Sequence, residues 1–168
     1  MKTCAFTGHR PARFHFKFDE TDGDCTQLKE RIRGEIILLI QRGVTTFLSG
    51  MALGVDLWAA ELVLALKKEY PQIQLVCVIP WDNQPDRWQE CSRKRYFHIL
   101  SQCDKTVHIS RSYTKSCIFE RNRYLVERAD CLLAVYDGSP KGGTAYTVGY
   151  AYKMKRLLII IPPEGAGV

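Results

Sequence analysis

A chain of 168 residues is the size of one domain and long enough to bury a substantial core. Its 46% hydrophobic and 25% charged residues exclude a fibrous, low-complexity or disordered chain, and no apolar run nears the roughly 20 residues of a membrane helix. The formal net charge of +6 favours anionic partners, although its 24 Lys and Arg are spread along the chain with no dense basic strip.

Short β-branched runs alternate with longer helical patterns, which predicts an α/β protein. The first strand is expected over residues 2–7. This opening stretch is too short for a signal peptide, so a cytoplasmic location is expected. A polar, aromatic loop (8–24) leads to a helix over 25–42, where Leu28, Ile32, Ile36, Leu39 and Ile40 recur at helical spacing and Gly43 stops the run. A strand over 45–49 and a helix over 55–69 follow, the latter ending before Pro71, then a strand over 74–79. A polar helix is expected over 86–102, a strand over 105–109 and a helix over 118–128. The last elements are a strand over 131–136, a glycine-rich loop (137–143), a helix over 144–154 and a strand over 157–161. The whole reads as a single Rossmann-like domain, 1–161. It is a three-layer sandwich around a mostly parallel sheet of about six strands, followed by a loose tail, 162–168.

Seven cysteines at positions 4, 25, 77, 91, 103, 117 and 131 are odd in number and never form C-x-x-C; the four histidines form no H-x-x-x-H. No metal site is expected. Cys4, Cys77 and Cys131 lie in strand-like runs and read as small buried hydrophobes.

In open parallel sheets, ligands sit beyond the carboxyl ends of the strands, and the unusual sequence of this chain falls there. Thr7-Gly8-His9-Arg10-Pro11 follows the first strand; Arg10 is suited to bidentate phosphate contact and His9 to stacking or hydrogen bonding. Ser49-Gly50-Met51-Ala52-Leu53-Gly54-Val55-Asp56 joins the second strand to its helix. Gly50 and Gly54 permit a tight turn and close approach to a ligand, Ser49 offers a hydroxyl, and Asp56 either caps the helix dipole or accepts a ribose hydroxyl. The same glycines would also serve a turn that only packs helix on sheet. Asp137-Gly138-Ser139-Pro140-Lys141-Gly142-Gly143-Thr144 makes a third such loop, with Thr144 at a helix start and Lys141 as a mobile charge. Trp81 and Trp88 lie after the third strand, placed either to stack on a base or to cover the core; with Tyr146 they are also compatible with a homo-oligomer. Neither G-x-G-x-x-G nor a Walker G-K-[ST] is present, so no nicotinamide or ATPase reading, and no cofactor, is expected.

Four elements in combination carry a resemblance over nearly the whole chain. Gly8-His9-Arg10-Pro11, Ser49-Gly50-Met51-Ala52-x-Gly54-x-Asp56, Arg121-Asn122-Arg123 and Gly142-Gly143-Thr144 together resemble the YpsA-like family of the SLOG superfamily. That superfamily includes the DNA-processing protein A family and the LOG phosphoribohydrolases. The resemblance implies a nucleotide or nucleotide-derived ligand. The stretch from Ser49 to Asp56 and Arg121-Asn122-Arg123 are similar to elements with which the DNA-processing family meets single-stranded DNA. Glu120-Arg121 matches the start of the E-R-K element of LOG hydrolases, but Asn122 replaces the lysine, and no glutamate follows Gly143-Thr144.

Three readings follow. The first is a sensor or regulatory protein that binds a nucleotide or nucleotide-derived phosphate ligand through Gly8, His9, Arg10, Ser49, Gly50, Gly54, Asp56, Trp81, Arg121, Asp137, Gly142, Gly143 and Thr144. The second is an N-glycosidase in which Asp56 or Glu120 supplies the carboxylate that such bond cleavage needs and Arg121 binds phosphate. The third is a single-stranded nucleic-acid binder. Loss of the loop glutamate favours binding without turnover.

Overall fold

The computed structural model describes residues 1–164; most of the predicted tail, 165–168, lies outside the described residues. Six strands form one all-parallel open sheet: β1 (Thr3–Gly8), β2 (Thr46–Ser49), β3 (Gln74–Ile79), β4 (Lys105–His108), β5 (Cys131–Val135) and β6 (Leu157–Ile161). Their spatial order is β4-β3-β2-β1-β5-β6. The helices are α1 (Gly23–Gln41), α2 (Val55–Leu66), α3 (Glu90–Gln102), α4 (Cys117–Arg128) and α5 (Gly143–Lys153).

The arrangement follows from which faces are apolar. The interiors of β1 and β5 are buried on both faces, which suits strands covered by helices above and below. On one face Cys4, Phe6, Phe47, Leu75, Cys77 and Leu133 pack against Leu28, Ile32, Ile36 and Leu39 of α1, Trp58 and Val63 of α2, and Tyr96 and Ile99 of α3. On the other, Ala5, Leu48, Val76, Val78, Leu132 and Ala134 meet Leu125 and Val126 of α4 and Ala151 of α5. Cys4, Cys77 and Cys131 lie in these layers, and all seven thiols are free. The β1 chain end is held by Asp130, whose carboxylate accepts from the amides of Lys2 and Thr3 at 2.7 and 3.0 Å. No helix among the described residues is long and apolar enough to cross a membrane.

Two predicted helices are shorter in the structure. The helix expected over 86–102 begins at Glu90, because Gln84, Asp86 and Trp88 donate to carbonyls three residues back in successive turns around Pro85. The helix expected to reach residue 69 ends at Leu66, where turns lead into Pro71, whose ring disfavours helical backbone before it. The loop at 8–24 contains a short 3-10 turn, Pro11–Arg13.

A polar network locks the layer of α1, α2 and α3. Glu20 accepts from Arg95 at 3.0 Å and from Lys29, and Arg95 also donates to Glu61 at 3.3 Å. Burial raises the Glu20 pKa, but the hydrogen bonds from Arg95 and Lys29 outweigh it and hold the carboxyl below its ordinary value. A depressed folded-state pKa contributes stability that is complete above the ordinary value near 4.5 and is lost as pH falls through the folded value. Glu20→Gln is therefore expected to lower unfolding free energy by about 1–3 kcal/mol at pH 7. In urea titrations that deficit shrinks as pH falls below about 4.5.

Candidate functional site

The strand order reverses between β1 and β5: the chain runs outward from β1 through β2, β3 and β4, then returns to place β5 on the other side of β1. Ligand crevices of open α/β sheets form at such a point. A cavity of about 480 Å³ opens there, between the loop after β1, the first turns of α4 and the N-terminus of α5. That volume lies in the range of small-molecule sites.

Its floor is built by Arg121. The guanidinium is 4% exposed, donates from Nη1 to the Gly50 carbonyl and from Nε to Asn122 Oδ1 at 2.8 Å. Nη2 has no hydrogen-bond partner among the described residues. Burial pushes the Arg121 pKa down; Asp56 opposes this and Arg10 adds to it. Asp56 is also buried and accepts the Ala52 amide at 3.2 Å. Burial pushes the Asp56 carboxyl up, against Arg121, the Ala52 amide and Arg10, which pull it down. The site thus holds a desolvated carboxylate and a desolvated guanidinium that act on each other's pKa without a direct ion pair between them.

The loop from Ser49 to Asp56 supports this pair from behind. Ser49 Oγ donates to the Asp56 carbonyl at 2.9 Å and accepts the Met51 amide at 3.2 Å. Met51 adopts the left-handed conformation, φ 58°, with its carbonyl held by Gln84 Nε2 at 2.8 Å. A non-glycine residue persists at positive φ when its surroundings over-determine it. Here the result is to present the Gly50 carbonyl to Arg121. Expected as ligand contacts, Ser49, Gly50 and Gly54 do not line the cavity. Their polar groups are turned onto the loop itself and onto Arg121.

The other wall is the start of α5. Gly142, at φ 105°, precedes the helix, and no side chain caps it. The first amides of the helix therefore lack the usual cap. Gly142, Gly143 and Thr144 line the cavity. Thr144 is 8% exposed, and its hydroxyl has no partner among the described residues. Asn122 is also buried; with Oδ1 occupied by Arg121, its Nδ2 lies 4.0 Å from where a Cβ on Gly143 would stand.

The loop after β1 completes the rim. Gly8, His9 and Arg10 line the cavity. His9 is buried, with Nε2 3.2 Å from both the Asp137 amide and its carboxylate. Burial lowers the His9 pKa, outweighing the upward pull of Asp137. Asp137 itself is depressed chiefly by the Ser139 amide and also by Arg13, which donates to it at 2.8 Å. Asp137 does not line the cavity; it buckles the loops after β1 and β5 together.

Two further expected residues stand elsewhere. Trp81 meets Tyr113 edge-on at 5.1 Å and lines a separate hollow of about 50 Å³ with Trp88 and Gln84, which shares Arg10 and Ala52 with the lining of the main cavity. Glu120 accepts from Ser116 at 2.8 Å and does not line the cavity. The cavity also takes Arg13, Tyr113, Lys115 and Phe119, none of which the sequence pattern marked as a contact. Where no metal site was expected, His15, Asp22 and Asp24 gather at the surface within 4.8 Å of one another. Asp22 caps the α1 N-terminus there, and His15 pairs with Asp24.

Comparison with known proteins places the chain. Residues 4–157 match the model of the YpsA family, described as the YspA SLOG family. A UPF0398 protein of Halalkalibacterium halodurans is 36% identical over 158 residues, 93% of this chain and 83% of that protein. One from Bacillus cereus is 35% identical over 156 residues, 91% of this chain and 84% of that protein. The fold is similar to that of DNA processing protein A from Helicobacter pylori, a structure solved to explain its single-stranded DNA binding mode. The TM-score is 0.66 with 20% identity, covering 96% of this chain and 65% of that one. This chain belongs to the YpsA family of SLOG proteins.

Proposed function

We propose that the protein binds a nucleotide or nucleotide-derived phosphate ligand in the cleft between β1 and β5, acting as a sensor or regulatory binding protein. One observation carries the reading: Arg121, Asn122 and Thr144 are buried, line the cavity, and each keeps a polar group without a partner among the described residues. None of the three unpartnered atoms is itself enclosed; each opens onto the cavity and can meet an acceptor that arrives from outside. The uncapped α5 N-terminus adds amides and a favourable dipole for an anion. Exposed Tyr113 and Phe119 on the lining offer rings for a base.

Thermal shift against a panel of nucleotides tests the proposal. Ligand at a 100-fold excess over Kd adds about 2.7 kcal/mol of stability; failure of every phosphorylated nucleotide to stabilise the fold overturns it. Thr144→Val should weaken the binding found by about 3- to 10-fold, the worth of one hydrogen bond, while leaving the melting temperature of the free protein at or above that of the wild type.

A second reading, single-stranded nucleic acid, is favoured by the likeness to DNA processing protein A and by the pairing of cations with exposed rings in one cleft. It predicts oligonucleotide affinity that falls steeply with salt. The glycosidase reading narrows to Asp56, the one carboxylate on the lining. Release of free base, lost in Asp56→Asn, would support it.

A further inference from the structure

Resting on that reading, the charge of the cleft identifies the ligand more closely: we infer that it carries at least two adjacent phosphate groups. Five cations line the cavity, Arg10, Arg13, Lys115, Arg121 and Lys141, against the single carboxylate of Asp56. Asp137 neutralises Arg13 through its 2.8 Å ion pair, and Asp56 offsets at most one more. Three positive charges are left for the ligand. A phosphate monoester carries about −1.5 to −2 at neutral pH and leaves one of them unmatched. A bridged pair of phosphates does not.

Four of these cations fall into two groups by their neighbours. The inner group is Arg121, with its unpartnered Nη2, and Arg10, close enough for both to act on the Asp56 carboxyl. The outer group is Lys141 and the amides of Gly143 and Thr144 at the α5 N-terminus, together with the Thr144 hydroxyl, which has no partner among the described residues and opens onto the cavity. Arg13 Nη1 lies 4.0 Å from where a Cβ on Gly142 would stand. Asn122 joins the two groups: its carboxamide oxygen receives Arg121, and its nitrogen faces Gly143. Neighbouring subsites that share one amide suit phosphates that share one bridging oxygen. Each group presents a fork or a set of fixed donors, the arrangement that rewards phosphate over a diffuse anion.

The experiment is calorimetric titration at fixed ionic strength with AMP and ADP, UMP and UDP, and orthophosphate and pyrophosphate, so that the base is not presumed. Each diphosphate should bind at least 10-fold tighter than its monophosphate, equivalent to about 1.4 kcal/mol. Lys141→Ala, on an exposed loop away from the core, should bring the two within about threefold by weakening the diphosphate alone. Equal affinity for mono- and diphosphates overturns this inference and leaves the nucleotide reading standing. Binding by neither overturns both. A diphosphate advantage unchanged in Lys141→Ala overturns the outer subsite.

Discussion

Arg121→Ala is expected to weaken ligand binding by at least 100-fold and to lower the unfolding free energy by about 2–4 kcal/mol, the cost of leaving two buried acceptors without their donor. The size of the effect comes from what the guanidinium holds. Without it, the Gly50 carbonyl and Asn122 Oδ1 lose their donors, and the buried Asp56 loses the cation that most opposes its rise in pKa. Asp56 then takes up a proton at higher pH, so the stability deficit should grow as pH rises through the already raised wild-type value of Asp56, above which the variant must bury the carboxylate charged without its cation. Arg121→Lys separates the two roles. An ammonium keeps the charge near Asp56 but cannot serve Gly50, Asn122 and a ligand from one planar fork. It should restore most of the stability while leaving binding about 10-fold weakened. Urea titration and calorimetry on both variants make the check; wild-type affinity in Arg121→Ala would remove the guanidinium from the site.

The strand and helix pattern was legible in the sequence because each element is driven by its own residues. The β3 and β6 bounds match to the residue, since apolar runs flanked by Gln74, Pro80, Arg156 and Pro162 leave little room for alternatives. The order of the strands was not legible, because pairing of β1 with β5 depends on a register between residues more than 120 apart. Much of the site turned on that pairing. The loops at Gly8 and Gly142 do share one cavity, as their place after strands predicts. The loop at Ser49 reads as a phosphate cradle only while its partner is unknown; Arg121, 71 residues further on, takes the carbonyl that the turn presents. Lys115 and Tyr113 come from a segment with no glycine or periodic pattern, and Arg13 from a loop that reads as merely polar. Such residues become contacts only through the fold, so no local signal marks them.

A large backbone effect should come from Gly54→Ala, which we expect to lower stability by about 3–4 kcal/mol, combining a residue held at unfavourable φ with a collision. Gly54 sits at φ 89°, where L side chains are rarely found. An added Cβ would also lie 2.8 Å from the His9 carbonyl oxygen, 3.0 Å from Pro11 Cδ and 3.2 Å from Arg10 Cα. Backbone and a proline ring cannot swing aside as a flexible side chain would. The loop after β1 must therefore shift as a body, carrying Arg10 away from Arg121 and His9 away from Asp137. Binding should fall with stability for that reason, although Gly54 does not line the cavity. Two controls isolate the contributions. Gly138 has φ 84° and open space around its Cβ position, so Gly138→Ala should cost only the conformational part, about 1 kcal/mol. Gly149 lies within α5, also in open space, and Gly149→Ala should stabilise by about 0.5–1 kcal/mol through helix propensity. A Gly54→Ala loss no greater than that of Gly138→Ala, in matched urea titrations, would mean that the loop after β1 yields freely. The cleft would then lack the rigid rim that places Arg10 opposite the α5 amides.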